Sequence, residues 1–207
     1  MRSDATLLYL LRHGEVDESW RSRIYGCLDV GLSEEGRHQA RRSAEALTDV
    51  ALGTVYASPL QRARFSGELV ASGRGLEPVV LPDLREIDRG EWAGRTFSEI
   101  ETSSPGALAA WHERPDRERP PGGESLTDLE TRVVAALGGA IRRDRPTTAA
   151  IAAHAWVVRV LVCRALGLPL RDATNVRVRT GSVSVVEWEG GAPRRLLAID
   201  VDRAPRV

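Results

Sequence analysis

The run Leu7–Leu8–Tyr9–Leu10–Leu11 is apolar at every position and then stops at Arg12-His13-Gly14-Glu15. An uninterrupted apolar run of this length fits a strand buried on both faces, as in a helix-covered α/β sheet. Polar, titratable groups at the end of such a strand sit where open α/β sheets bind ligands. An Arg beside a His also suits a small dianion: the guanidinium holds two oxygens while the imidazole attacks or donates a proton. Taken alone the tripeptide is weak, because many strands end in Arg or His by chance.

The rest of the chain repeats the strand-then-helix pattern. A polar loop runs through Trp20, Tyr25, Gly26 and Asp29 to Ser33, which reads as an N-cap with Glu34 and Glu35 in the first turn. Gly53–Ala57 reads as a second strand. Ser58-Pro59 predicts the next helix start, with Ser as N-cap and Pro at the first position. Val79–Leu81 is a third strand candidate, followed by an acidic, glycine-punctuated loop over Leu84–Gly94. Short helical pieces around Phe97–Ile100 and Ala107–Trp111 and the charged Glu113–Pro121 read as an inserted lid, about residues 95–121, within one domain spanning 1–207. Ser125 and Asp128 predict a capping box before the stripe Leu126, Leu129, Val133, Leu137 and Ile141. Ala149–Ala153 reads as a strand ending in His154, and Trp156–Leu166 as a buried helix stopped by Gly167. Ser182–Trp188 and Arg195–Val201 read as closing strands about a Glu189-Gly190-Gly191 turn. The expected fold class is α/β: a mostly parallel sheet with helices on both faces.

Composition narrows the function classes. Lys+Arg and Asp+Glu are 29 each in 207 residues, so no global field draws the chain to nucleic acid or to an anionic membrane. Any anion site must be local. Cys27 and Cys163 lack metal-type spacing and read as free thiols in a reducing compartment. The stretch Ala149–Leu168 is interrupted by His154, Arg159 and Arg164 and does not read as a membrane span. No signal peptide is legible before the first strand. The expectation is a cytoplasmic protein needing no cofactor and no metal.

Arg12 and His13 end the first strand, His154 ends a late one, and Arg62 falls in the first turns of the helix after the second. If the strands are parallel neighbours, all four groups face one sheet edge, with helix N-termini adding positive potential. A phosphate dianion would satisfy them. One His then attacks phosphorus, while the other His and the arginines hold the equatorial oxygens. The leaving alkoxide needs a proton, and Glu86 in the acidic loop is the first choice as donor, with Asp88 and Glu91 behind it.

The segment Leu11–Glu15 resembles the signature of the histidine phosphatase superfamily, phosphoglycerate-mutase-like branch. The resemblance continues through Arg23–Gly26, Asp29, Leu32–Gly36, Ser58–Ala63, Leu84–Glu86, Gly90–Gly94, Pro121–Ser125 and His154. It implies a three-layer α/β/α sandwich and a metal-independent phosphomonoesterase of small phosphorylated metabolites. By this resemblance His13 is the nucleophile, Arg12, Arg62 and His154 form the phosphate pocket, and Glu86 is the proton donor. Three positions depart from the usual pattern. Val16 replaces a common Thr, Ser19 an Asn that often reaches the phosphate, and Ala155-Trp156 a pair that usually contains glycine. Ser19 and Ala155 are therefore expected beside substrate, and Trp156 narrows the mouth, stacks on a planar substrate group, or simply packs in the core.

Other residues have plainer readings. His38 reads as a surface residue and His112 as a surface or packing residue of the lid. Trp92 and Trp111 read as packing residues, and Arg114–Arg119 as a solvated run balanced by Asp116 and Glu118. Two rival functions stay open. A phosphoglycerate mutase would use the same pocket, but such relatives usually carry a longer insertion than Arg95–Pro121. A catalytically weak protein that only holds phosphorylated ligands is the other. A homodimer is compatible with the sequence.

Overall fold

The computed structural model describes residues 5–205. In chain order the elements are β1 (Thr6–Arg12), α1 (Glu34–Glu45), β2 (Thr54–Ala57), α2 (Gln61–Ser72), β3 (Val79–Val80), α3 (Phe97–Ser103) and α4 (Ala107–Glu113). They continue with α5 (Leu126–Asp144), β4 (Thr148–Ala153), α6 (Ala155–Leu166), β5 (Val183–Glu189) and β6 (Ala192–Val201). One six-stranded sheet has the order β3-β2-β4-β1-β5-β6. The first four of these strands are parallel, and β5 and β6 add antiparallel.

Both faces of β1 are covered, which explains its uninterrupted apolar run. Leu8 and Leu10 belong to a core shared with α5 and α6; Tyr9 and Leu11 join Val55, Val70 and Ala71 on the α2 side. The chain is therefore helix, sheet, helix in section, as the sequence implies. The connection from β1 runs through α1 and that from β4 through α6, toward opposite edges of the sheet. The carboxyl ends of these adjacent strands part around a crevice, where doubly wound sheets bind ligands.

Local signals set most helix starts. Ser33 Oγ accepts from the Gly36 amide at 3.0 Å. Ser125 and Asp128 form the reciprocal capping box that starts α5. Thr96 and Glu99 form another before α3, which the sequence reading lacked.

The start of α2 differs from expectation. Its N-cap position is Leu60, not Ser58, and the Gln61 amide donates to Asp29 Oδ1 at 2.7 Å. A carboxylate from a distant loop thus satisfies the helix end and leaves the Ser58 hydroxyl for other work. The last strand also begins earlier than Arg195. A two-residue Gly190-Gly191 turn pairs Glu189 directly with Ala192, so the strand starts there.

Trp92 and Trp111 are both buried, as packing residues should be, and His38 is exposed beside Glu34. The charged run after α4 is largely tied down, with Arg114 on Asp116 and Arg119 on Asp128. No helix among the described residues is long and apolar enough to cross a membrane.

Candidate active site

Register between β1 and β4 places the two histidines together. Arg12 pairs with Ala153, and the His13 amide donates to the Ala153 carbonyl at 3.1 Å. One residue further along each strand, the rings of His13 and His154 lie 5.2 Å apart, inclined at 63°. Both residues are essentially buried. Tight backbone approach fixes the turn after His13: a Cβ on Gly14 would lie 2.0 Å from the Gly36 carbonyl oxygen. The Arg-His-Gly segment and the Ser33-capped helix start therefore interlock, and only glycine fits.

His13 Nδ1 lies 2.6 Å from the Gly14 carbonyl oxygen. A carbonyl can only accept, so the proton resides on Nδ1 and Nε2 carries a lone pair. The Arg62 Nε–H points to that nitrogen at 3.3 Å. Burial, then Arg62 and Arg12, push the His13 pKa well below its ordinary value, against the opposing Gly14 hydrogen bond. His13 is thus a neutral imidazole near pH 7, its Nε2 pair engaged, among the described residues, only by the long contact from Arg62.

Arg62 is fully buried with no carboxylate on its guanidinium. It instead donates to the carbonyls of Leu28 at 2.7 Å and Gly26 at 2.6 Å, and stacks over Tyr25. These bonds fix its fork without spending its charge.

Ser58 Oγ accepts from the Leu60 amide and lies 2.7 Å from His154 Nε2. Both contacts are satisfied with the His154 proton on Nδ1, and that buried nitrogen has no partner. Burial, Arg62, His13 and Arg12 lower the His154 pKa in turn. Arg12 donates through Nη1 to the Val178 carbonyl, while its buried Nε is likewise unpartnered. Arg12 Nε and His154 Nδ1, both buried and unpartnered among the described residues, lie beside the His13 ring and suit an oxyanion.

Glu86 is buried and opposes these cations. One oxygen accepts from the Ile87 amide at 3.0 Å, and both lie 3.3 Å from the Trp156 amide in the first turn of α6. The positive end of α6 therefore serves Glu86, rather than the anion alone as the sequence suggested. The loop carrying Glu86 is clamped from outside. Arg132 bridges the carbonyls of Asp83, Arg85 and Glu86 to the carboxylate of Glu124. Gly90 adopts φ +47° and passes so close to Pro121 that a Cβ there would meet its carbonyl oxygen at 2.0 Å. Sequence reasoning missed Arg132. Its signal was only an arginine on α5 facing away from the apolar stripe, which no local pattern separates from a solvated one.

A cleft of about 230 Å³ opens from this pocket, lined by Arg12, Glu86, Arg89, Ala155, Trp156 and Arg159 among others. Ala155 and Trp156 are on the wall of this cleft. Ser19 is not brought there. It sits exposed in a short 3₁₀ turn, its hydroxyl donating to Asp17 at 2.6 Å. His112 is exposed, its ring against Trp111. Asp88 accepts from the Gly90 amide and does not line the cleft, and Glu91 is exposed in the next turn. Among the described residues, no group of three or more His, Cys, Asp or Glu is placed to hold a metal ion.

Comparison with known proteins supplies relatives of this chain in sequence and fold. The family model described as histidine phosphatase superfamily (branch 1) matches residues 8–200. Phosphoserine phosphatase 1 of Hydrogenobacter thermophilus is 31% identical over 182 residues, covering 88% of this chain and 86% of its own. A probable phosphoglycerate mutase, GpmB, of Erwinia tasmaniensis is also 31% identical over 182 residues, covering 88% and 85%. The native structure of a mycobacterial glucosyl-3-phosphoglycerate phosphatase superposes with a TM-score of 0.85 at 30% identity, over 95% of this chain and 99% of that one.

Proposed function

This chain belongs to the histidine phosphatase superfamily (branch 1), and on that premise we propose that it hydrolyses phosphate monoesters of small metabolites through a phosphoryl group carried on Nε2 of His13. The chain is a phosphatase of this superfamily. The observation that carries the residue assignment is the contact of His13 Nδ1 with the Gly14 carbonyl, which commits the proton to Nδ1 and leaves Nε2 unprotonated, held only by a 3.3 Å contact from Arg62 that a bound phosphate would take over.

In the first step the Nε2 pair forms a bond to phosphorus as the bond to the ester oxygen breaks. Glu86, entering as the acid, gives its proton to the departing alkoxide. The positive charge acquired by the His13 ring is met by the Gly14 carbonyl on Nδ1–H. Arg62, Arg12 Nε and His154 Nδ1 bind the three equatorial oxygens, where charge is concentrated during transfer. In the second step water attacks phosphorus, the P–N bond breaks, and the water proton returns to the Glu86 carboxylate. Orthophosphate leaves and His13 is neutral again.

The segment 95–121, which holds α3 and α4, acts as the lid of a single domain. Ser58 orients His154, and Arg132 positions Glu86. The two free thiols, both pushed up to about 11 by burial, suit a reducing, cytoplasmic setting.

The test is trapping with a ³²P-labelled monoester, quenched in alkaline detergent. We expect a phosphoenzyme that survives alkali and decays in acid, and orthophosphate as product. In His13→Ala both the phosphoenzyme and turnover should vanish, a loss of roughly 10⁴-fold or more. Substantial turnover without His13 would overturn the nucleophile; an isomerised ester in place of orthophosphate would mark a mutase.

A further inference from the structure

Beyond the phosphate pocket, the cleft holds more positive charge than one phosphate can use. Its wall carries Arg12, Arg23, Arg89 and Arg159 against the single carboxylate of Glu86. Arg12 belongs to the phosphate pocket, and Arg23 is engaged by the Gly94 carbonyl and Glu99. Arg89 and Arg159 remain.

Arg89 is only 7% exposed, yet its guanidinium has no hydrogen-bond acceptor among the described residues. It packs into the corner between two edge-on indoles whose centroids are 5.1 Å apart, 4.1 Å from that of Trp111 and 5.4 Å from that of Trp156. Ring faces attract a cation but leave its in-plane N–H groups free, and these reach the cleft. Arg159 stacks on Trp156 at 4.5 Å, with Nε held by the Val176 carbonyl. Trp156 is itself steadied edge-on against Trp111. Two guanidiniums are thus fixed about one indole on the wall away from the histidines. Burial, opposed by Glu86 and helped by Arg159, drops the Arg89 pKa to about 10, so the group is still charged near pH 7.

Resting on the phosphatase reading above, we propose that Arg89 and Arg159, on the Trp111–Trp156 platform, form a second anion subsite, so that the preferred substrates carry a carboxylate or second phosphate on the leaving group. The phosphoryl end enters the histidine pocket, and the distal anion pairs with the stacked guanidiniums. Charge-assisted bonds to a shielded guanidinium discriminate strongly against a neutral isostere, which strands the cation.

The experiment measures calorimetric Kd values for ω-phosphonoalkanoates, propanoate to pentanoate, and for their carboxamides. The corresponding bisphosphonates form a third arm that separates a carboxylate from a second phosphate. We expect at least one anionic member to bind wild type about tenfold or more tighter than its amide. Arg89→Met should shrink that ratio toward one, and Arg89→Lys should keep part of it. Equal binding of acid and amide to wild type overturns the subsite, whatever the variants do. So does an Arg89→Met effect that weakens acid and amide alike, because that is the signature of a mere brace between two indoles. Turnover of p-nitrophenyl phosphate by wild type reports separately on the phosphatase reading, since that ester carries no second anion.

Discussion

The inner and outer halves of the cleft are held by different forces. In the inner half, four of the five functional side chains are fixed by backbone, His13 by the Gly14 carbonyl, Arg62 by Gly26 and Leu28, Arg12 by Val178 and Glu86 by two amides, while His154 is held by the Ser58 hydroxyl. In the outer half, Arg89, Trp111, Trp156 and Arg159 hold one another mainly through ring contacts, with one backbone bond, from Arg159 to the Val176 carbonyl. Backbone carbonyls at a sheet edge allow little freedom of position or direction, as a reacting atom requires. Stacked side chains tolerate sliding and replacement. The difference teaches that a fold can keep one reaction centre rigid while the groups that choose the substrate vary around it.

The comparison breaks most visibly at Glu86. Glu86→Gln keeps the acceptor oxygen for the Ile87 and Trp156 amides but removes the transferable proton. Hydrolysis of alkyl phosphates should fall by roughly 10²–10⁴-fold, and of nitrophenyl esters far less. Equal losses for both, measured as kcat/KM, would remove Glu86 as the acid. A second cut, Arg62→Lys, keeps the charge but cannot reach both carbonyls with one fork. A drop of roughly 10²–10³-fold in kcat is expected. If lysine serves nearly as well, charge alone matters in the inner half and its rigidity is incidental.

The smallest effect is on stability. His13 and His154 stay neutral in the fold, whereas in the unfolded chain they take protons below about pH 6.5. The unfolded state then binds more protons, so stability falls as pH drops through that value, by about 1.4 kcal/mol per pH unit for each histidine. Urea unfolding without phosphate, between about pH 7 and about pH 5.5, should show this slope, and saturating phosphate should flatten it. A level profile in the absence of phosphate would mean that the imidazoles are not held neutral.

How much of this was legible beforehand follows the same division. The apolar run of β1 with its abrupt end, and the capping signals at Ser33 and Ser125, are each written within a few consecutive residues, and the motifs follow one another in order along the chain. They locate the strands, the sheet class and the inner-pocket side chains from local chemistry alone. Ser58 shows where that logic stops. Ser-Pro has the look of a helix start, but Asp29 arrives from another loop, satisfies the helix, and frees the hydroxyl for His154. Ser19 is the converse case: a matching position in the sequence whose side chain turns outward to Asp17.

Local sequence by itself determined that this chain builds a buried parallel sheet and ends its strands in an anion-seeking constellation. Hydrophobic periodicity and capping are short-range, so they are readable one segment at a time. Only the tertiary structure decided that Arg89 packs against Trp111 and Trp156, that Arg132 clamps the Glu86 loop, and that the α6 N-terminus is given to Glu86. Those contacts join residues far apart in the chain, whose meeting depends on the packing of the whole core and leaves no periodic trace in any one stretch.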